Sequence, residues 1–253
     1  MNEYELFRTE CELGVGAQGA DDRFLSQTRA WTSRAMEHRY CYHFEWLGRP
    51  IIQFPQDIVA MQELVWALQP ELIIETGIAH GGSLILSASL LELNASCGGP
   101  PAAQVVGIDV DIRRHNRAAI DDHPLSHRIS MIEGSSTEPA VSSQIAELAE
   151  AVDRVLVCLD SNHTHAHVLS ELEIYSPMVS VGSYCIVFDT LIEELPKEYL
   201  ASTGRPWEPG NSPGSAVSAF LAGSGAERFI VDHSITDRLM VTSARGGYLK
   251  RVV

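Results

Sequence analysis

Basic residues are scarce in this chain: 18 Lys and Arg stand against 33 Asp and Glu, a formal net charge of −15 over 253 residues. That balance argues against nucleic acid or an anionic membrane as partner, because both reward clustered cations. It leaves room for a nucleotide-linked small molecule, which needs only a local cationic pocket. Long apolar runs are also missing. None approaches a membrane span, and the opening Met1-Asn-Glu-Tyr-Glu lacks the basic start of a signal peptide. Cysteine is sparse and unpatterned: Cys11, Cys41, Cys97, Cys158 and Cys185 are odd in number and form no C-x-x-C. Cys158 and Cys185 sit inside apolar runs, where reduced cysteine behaves as a small hydrophobe, and a reducing cytoplasm fits best. There is no internal repeat. The remainder is ordinary for a globular chain, 45% hydrophobic with a mean hydropathy of +0.00, long enough for one large domain or a domain with a modest appendage.

What the chain does have is the stretch Leu72–Leu91. An apolar run, Leu72-Ile-Ile, stops at Glu75-Thr76 and passes through a turn holding Gly77, Gly81 and Gly82 into a helical segment from Ser83. Strand, glycine turn and helix start in that order make a nucleotide-type site, because glycine lets backbone approach a ligand and a helix start offers free N–H groups. G-x-G-x-x-G is absent, which disfavours a dinucleotide. A carboxylate at the strand end repels a pyrophosphate and suits an ammonium. S-adenosylmethionine carries one.

The rest of the pattern alternates. A helix is expected over Gln56–Leu68, stopped by Pro70, and strands over Leu72–Glu75, Gln104–Asp109, Ile129–Gly134, Arg154–Asp160 and Gly182–Asp189. Helices are expected at Asp21–His38, Ser83–Leu93, Arg113–Ile120, Pro139–Ala149, Val168–Val179 and Ser215–Leu221. This implies an α/β fold with a doubly wound, mostly parallel, Rossmann-like sheet, ligands lying beyond the carboxyl ends of the strands. Glu75, Asp109, Asp160 and Asp189 stand at those ends and should meet in one crevice. Phe229–Asp232, Leu239–Ser243 and Tyr248–Val252 read as a closing antiparallel strand pair, and Leu191–Gly214 as a long lid or binding loop with Trp207. Residues 1–55, dense in aromatics from Tyr40 to Trp46, read as an N-terminal helical and aromatic cover, and 56–253 as the catalytic domain. Such aromatics and the closing strands suggest a homo-oligomer.

The chemistry gathers after the fourth strand, in Asp160-Ser-Asn-His163-Thr-His165-Ala-His167. Three alternating histidines would suit zinc, but at a strand–helix junction they do not stay on one face. Asp160 with Asp189 instead offers two hard oxygen ligands for Mg²⁺ or another divalent ion. His163 would stand beside that ion as a proton acceptor near neutral pH, with a capping role as its plain alternative. Asp109 is placed for ribose hydroxyls, or only to solubilise a strand end. Ser83 is placed to cap the helix or to bond a cofactor carboxylate.

Four motifs in order, E-T-G-I-A-H-G-G-S, V-V-G-I-D, L-D-S-N-H-T-H and G-S-Y-C-I-V-F-D, resemble the family of cephalosporin hydroxylases and rhamnosyl O-methyltransferases, from Gln56 to the C-terminus. The resemblance implies a class I S-adenosylmethionine-dependent methyltransferase that methylates a sugar or natural-product hydroxyl with Mg²⁺. It implies cofactor contacts from Glu75, Thr76, Gly77, Gly81, Ser83 and Asp109, with Gly134 and Ser135 near the adenine. It also implies metal ligation by Asp160 and Asp189 and a base at His163. Better-known members carry Glu-Asp at the fifth strand end, where this chain has Phe188-Asp189. Two rival readings are a hydroxylase or methoxylation component acting on a β-lactam-type scaffold and a cofactor-binding subunit without chemistry.

Overall fold

The computed structural model describes residues 2–253. Two helices open it, α1 (Glu3–Gly19) and α2 (Asp22–Glu37), capped by Asn2 and Asp21, whose side chains accept the N–H of Glu5 and Phe24. A hairpin follows, β1 (Phe44–Trp46) and β2 (Arg49–Ile51). Its turn residues Leu47 and Gly48 both have positive φ, 46° and 83°, and the leucine hides the usual Asn-Gly signal of such a turn.

The alternating part then runs α3 (Pro55–Leu68), β3 (Leu72–Thr76), α4 (Gly82–Ser96), β4 (Gln104–Asp109), α5 (Arg114–Asp121) and β5 (Ile129–Glu133). It continues through α6 (Pro139–Glu150), β6 (Val155–Leu159), α7 (His165–Tyr175) and β7 (Tyr184–Val187). The tail holds α8 (Lys197–Ser202), α9 (Pro213–Ala222), β8 (Phe229–Val231), α10 (His233–Leu239) and β9 (Tyr248–Arg251). The last seven strands form one sheet in the order β5-β4-β3-β6-β7-β9-β8. The first five in that order are parallel, while β9 is antiparallel to both β7 and β8. Every residue of β3 and β6 is buried, as expected of central strands covered on both faces. Apolar clusters fill both faces, one under α3 and α4 around Ile73, Leu84 and Leu156, the other under α6, α7 and α9 around Ile74, Val157 and Phe220.

The doubly wound parallel sheet and its antiparallel end are as expected, with two corrections in the tail. Leu239–Ser243 is not a strand: Leu239 ends α10, and β9 alone joins β7 and β8. The segment Leu191–Gly214 is not one open loop. It contains a 3-10 turn (Thr190–Glu194) and α8, and it buries Leu191, Ile192, Leu195 and Leu200 against Cys41 and Phe54. No helix among the described residues is long and apolar enough to cross a membrane.

One buried acid joins the two ends of the sheet domain. Asp57 of α3 is fully buried and accepts hydrogen bonds from the hydroxyls of Thr242, Ser243 and Tyr248 and from the Ser243 N–H. The Ser243 carbonyl in turn accepts from the Leu191 N–H and the Thr190 hydroxyl, directly after Asp189. Replacing Asp57 by Ala leaves several buried donors without an acceptor and should cost about 3 kcal/mol or more, read in urea unfolding. A loss below about 1 kcal/mol would mean that water replaces the carboxylate there.

Candidate active site

The strand order reverses between β3 and β6, the place where open parallel sheets hold ligands. Gly77 leaves β3 at φ +92°, and a Cβ on it would lie 2.1 Å from the Asp160 carbonyl oxygen. Only glycine fits there. The Asp160 N–H donates back to the Thr76 carbonyl at 2.9 Å, so the ends of β3 and β6 are laced together. The turn that follows is held from within. Asp109 at the end of β4 accepts the N–H groups of Ile78 and Ala79 on Oδ2, at 2.9 and 3.3 Å, and that of Asp111 on Oδ1. Arg49 and Asn116 bind the outer carbonyls of His80 and Ala79. Gly81 starts α4 in the left-handed region and faces Ile120.

Above this junction lies a cavity of about 650 Å³, within the range of small-molecule sites. Asp109, Ser135, Asp160, His163 and Asp189 all line it. Asp160, His163 and Asp189 each bring a ligand atom to within 4.8 Å of the others. His163 Nε2 lies 3.4 Å from Asp189 Oδ2, and the indole of Trp207 meets the His163 ring edge-on at 4.8 Å. Asp189 has φ 55°, a conformation that aspartate tolerates better than most residues, and the bonds to Ser243 hold the chain after it. Burial, then the neighbouring Asp189, pushes the Asp160 carboxyl well above the usual carboxylate range. Two close acids with no lysine or arginine paired to either form a hard-oxygen site that a divalent cation would neutralise. Phe188 does not face that site: it lines a small space on the other side, beside Glu75.

Glu75 is buried in that adjoining space, together with Thr76, Gly77 and Ser83. Its carboxylate accepts from the Ser87 hydroxyl, and burial raises its pKa. Ser83 lines the same space, and the helix start beside it has no side-chain cap. Gln53 borders both spaces, is 5% exposed, and its side-chain oxygen has no hydrogen-bond partner. A buried acid with only hydroxyl partners and an orphan amide oxygen beside it suit an ammonium group.

Not all of the expected residues face the large cavity. Thr76 turns its hydroxyl to the Asp160 N–H, Gly81 lies against Ile120, and Gly134 lies against Val141. The three histidines diverge, so the zinc arrangement does not form. His165 bonds Ser215, while His167 bonds Ser136 and Ser161 above the fully buried Glu171. Gln53 and Ser136 line the cavity without having been singled out, because isolated polar residues carry no spacing signal.

The sequence profile of the Rhamnosyl O-methyltransferase/CmcI family matches residues 38–252. The chain belongs to the rhamnosyl O-methyltransferase/CmcI family. The rhamnosyl O-methyltransferase of Mycobacterium tuberculosis is 32% identical over 170 residues, which cover 65% of this chain and 60% of the mycobacterial protein. That of Mycobacterium leprae is 30% identical over 178 residues, 69% of each. The chain thus spans less than two thirds of the length of the M. tuberculosis relative. A CmcI apo-structure superposes with a TM-score of 0.57 at 19% identity, covering 84% of this chain and 77% of CmcI. A CmcI structure with Mg-SAM gives 0.56 at 19%, covering 84% and 78%. The family member described here thus has the fold of the class I methyltransferases, including its reversed last strand.

The raised pKa of Glu75 sets a pH dependence. Below the ordinary glutamate value both folded and unfolded states hold the proton, and the folded state is at its most stable. As pH rises past about 4.3 the unfolded chain ionises first, and stability falls until the folded carboxyl ionises too. Glu75→Gln should therefore flatten the decline of the thermal midpoint from weakly acidic to alkaline pH, measured without ligands. Parallel slopes for the two proteins would show that Glu75 carries no such penalty.

Proposed function

We propose that this chain is an S-adenosylmethionine-dependent O-methyltransferase acting on a hydroxyl of a sugar or glycosylated natural product, assisted by a divalent cation. One observation carries the reading: Asp160, His163 and Asp189 meet in a single cavity at the β3–β6 switch point, beside the buried acid Glu75. Membership of a family that includes rhamnosyl O-methyltransferases supports the same chemistry.

Bound S-adenosylmethionine supplies an electrophilic methyl group. Glu75 and Gln53 would hold its ammonium, Asp109 its ribose with the lone pair that its three N–H donors leave free, and Ser135 the adenine side. Gly77 and Gly81 shape the turn beneath. Asp160 and Asp189 would hold Mg²⁺, which lowers the pKa of an acceptor hydroxyl. His163 Nε2 takes the hydroxyl proton, and Asp189, 3.4 Å away, stabilises the imidazolium that results. Trp207 keeps the ring edge-on and fills space that water would otherwise occupy. Residues 1–55 serve as the cover, since Cys41, Tyr42 and Gln53 wall the cavity, and 56–253 as the catalytic domain. Burial raises the Cys41 thiol to about 12, so it acts as wall and not as nucleophile. The exposed Tyr4, Leu6, Phe7 and Leu13 on α1 support a homo-oligomer, and the five free cysteines a reducing cytoplasm.

His163→Ala should lower kcat by about 10²–10⁴-fold while calorimetry finds S-adenosylhomocysteine affinity nearly unchanged. An equal loss of both would remove the base assignment. Mg²⁺ added to EDTA-treated protein should raise the thermal midpoint, and the rise should vanish in Asp160→Asn. Activity untouched by EDTA would point to a metal-independent enzyme.

A further inference from the structure

The cavity walls are electrically uneven. Asp109, Asp160 and Asp189 line the space, and among the described residues Arg205 is the only Lys or Arg side chain that does so. Its guanidinium lies over the Trp207 ring, 5.3 Å from the centroid. Since Trp207 also touches His163, a single indole separates the guanidinium from the imidazole. A second guanidinium, that of Arg39, lies 4.3 Å over the ring of Tyr42, which lines the same cavity. Arg205 thus lines the cavity itself, and Arg39 lies beside it on a ring that does.

These two arginines differ from those that acids hold in place. Arg29, Arg34, Arg117, Arg128, Arg238 and Arg245 each pair with a carboxylate. Arg39 and Arg205 have no carboxylate partner among the described residues, although the chain has an excess of 15 negative charges to offer. Stacking on an aromatic ring fixes a guanidinium without neutralising it and leaves its N–H fork free for an oxyanion. Fixing it beforehand also reduces the entropy lost when a ligand arrives.

We infer that the methyl acceptor carries an anionic group, a phosphate or a carboxylate, which Arg205 and Arg39 bind at the mouth of the cavity while the hydroxyl lies at His163. The inference rests on the methyl-transfer reading and narrows its substrate class. An acceptor of this kind is polarised to match the site, with its hydroxyl end toward the cation-binding acids and its anionic end toward the arginines.

Calorimetry on protein saturated with S-adenosylhomocysteine tests this with four hexose-derived probes: a neutral methyl glycoside, the sugar 1-phosphate, a nucleoside diphosphate sugar and a uronic acid glycoside. The phosphate-bearing or the uronate probe should bind about tenfold or more tightly than the neutral one, and the two arms tell which anion is read. That preference should shrink with added salt, disappear in Arg205→Ala and survive in part in Arg205→Lys. Thermal midpoints matching the wild type would confirm that the exposed substitutions leave the fold intact. Equal binding of neutral and anionic probes would overturn the inference. So would a preference that survives in the Arg205→Ala, Arg39→Ala double variant, or binding of S-adenosylhomocysteine with no binding of any probe. Wild-type protein that fails to bind S-adenosylhomocysteine would instead strike the methyl-transfer reading, and this inference with it.

Discussion

Parallel register is the constraint on which everything else depends. Strands β3, β4, β6 and β7 run the same way, and the acids Glu75, Asp109, Asp160 and Asp189 lie at or just past their carboxyl ends. The sheet therefore concentrates negative charge along one edge, with no lysine or arginine placed among the four. A protein tolerates that only in a few ways: by protonating an acid, by surrounding it with donors, or by receiving a cation. The structure shows the first two. Asp160 and Glu75 are pushed toward their neutral forms, while Asp109 and Glu75 collect N–H and hydroxyl donors. The third is the opening through which function enters.

Support for this edge comes from far away in the sequence. Asp57 grips the segment before β9, and Ser243 in that segment grips the chain directly after Asp189. A left-handed aspartate at the mouth of the site is thereby held by a buried network that begins on the first helix of the sheet domain. The N-terminal hairpin plays a similar part. Gly82 packs so closely that a Cβ would meet the Pro50 carbonyl at 2.2 Å, and Gln53, just beyond the hairpin, lines the same small space as Glu75 and Asp160. Site geometry here is a property of the whole chain and not of its central motifs.

Legibility in the sequence followed physical range. The strands β3 to β7 were readable because continuous apolar runs ending in an acid are a local pattern. The hairpin β1–β2 was not, since Leu47 takes a positive φ that nothing in its chemistry announces. Leu239–Ser243 reads as a strand by composition, yet the Asp57 network claims its polar groups and the sheet closes without it. Ser83 looks like a helix cap, yet it caps nothing and lines the small space beside Glu75 instead. In the run of three histidines, spacing said that one face could not hold them all, but not that His163 would turn to Asp189 and His167 to Ser136.

By itself the sequence determined the alternation of strands and helices, the acids that close the strands, and the glycine without which Gly77 and Asp160 could not touch. These are set by neighbours a few residues apart, where backbone sterics and hydrophobic periodicity act. Tertiary structure alone decided which acids share a cavity, and that two arginines separated by most of the chain stack on rings that line it. Those outcomes depend on contacts between distant segments, and only packing brings such segments together.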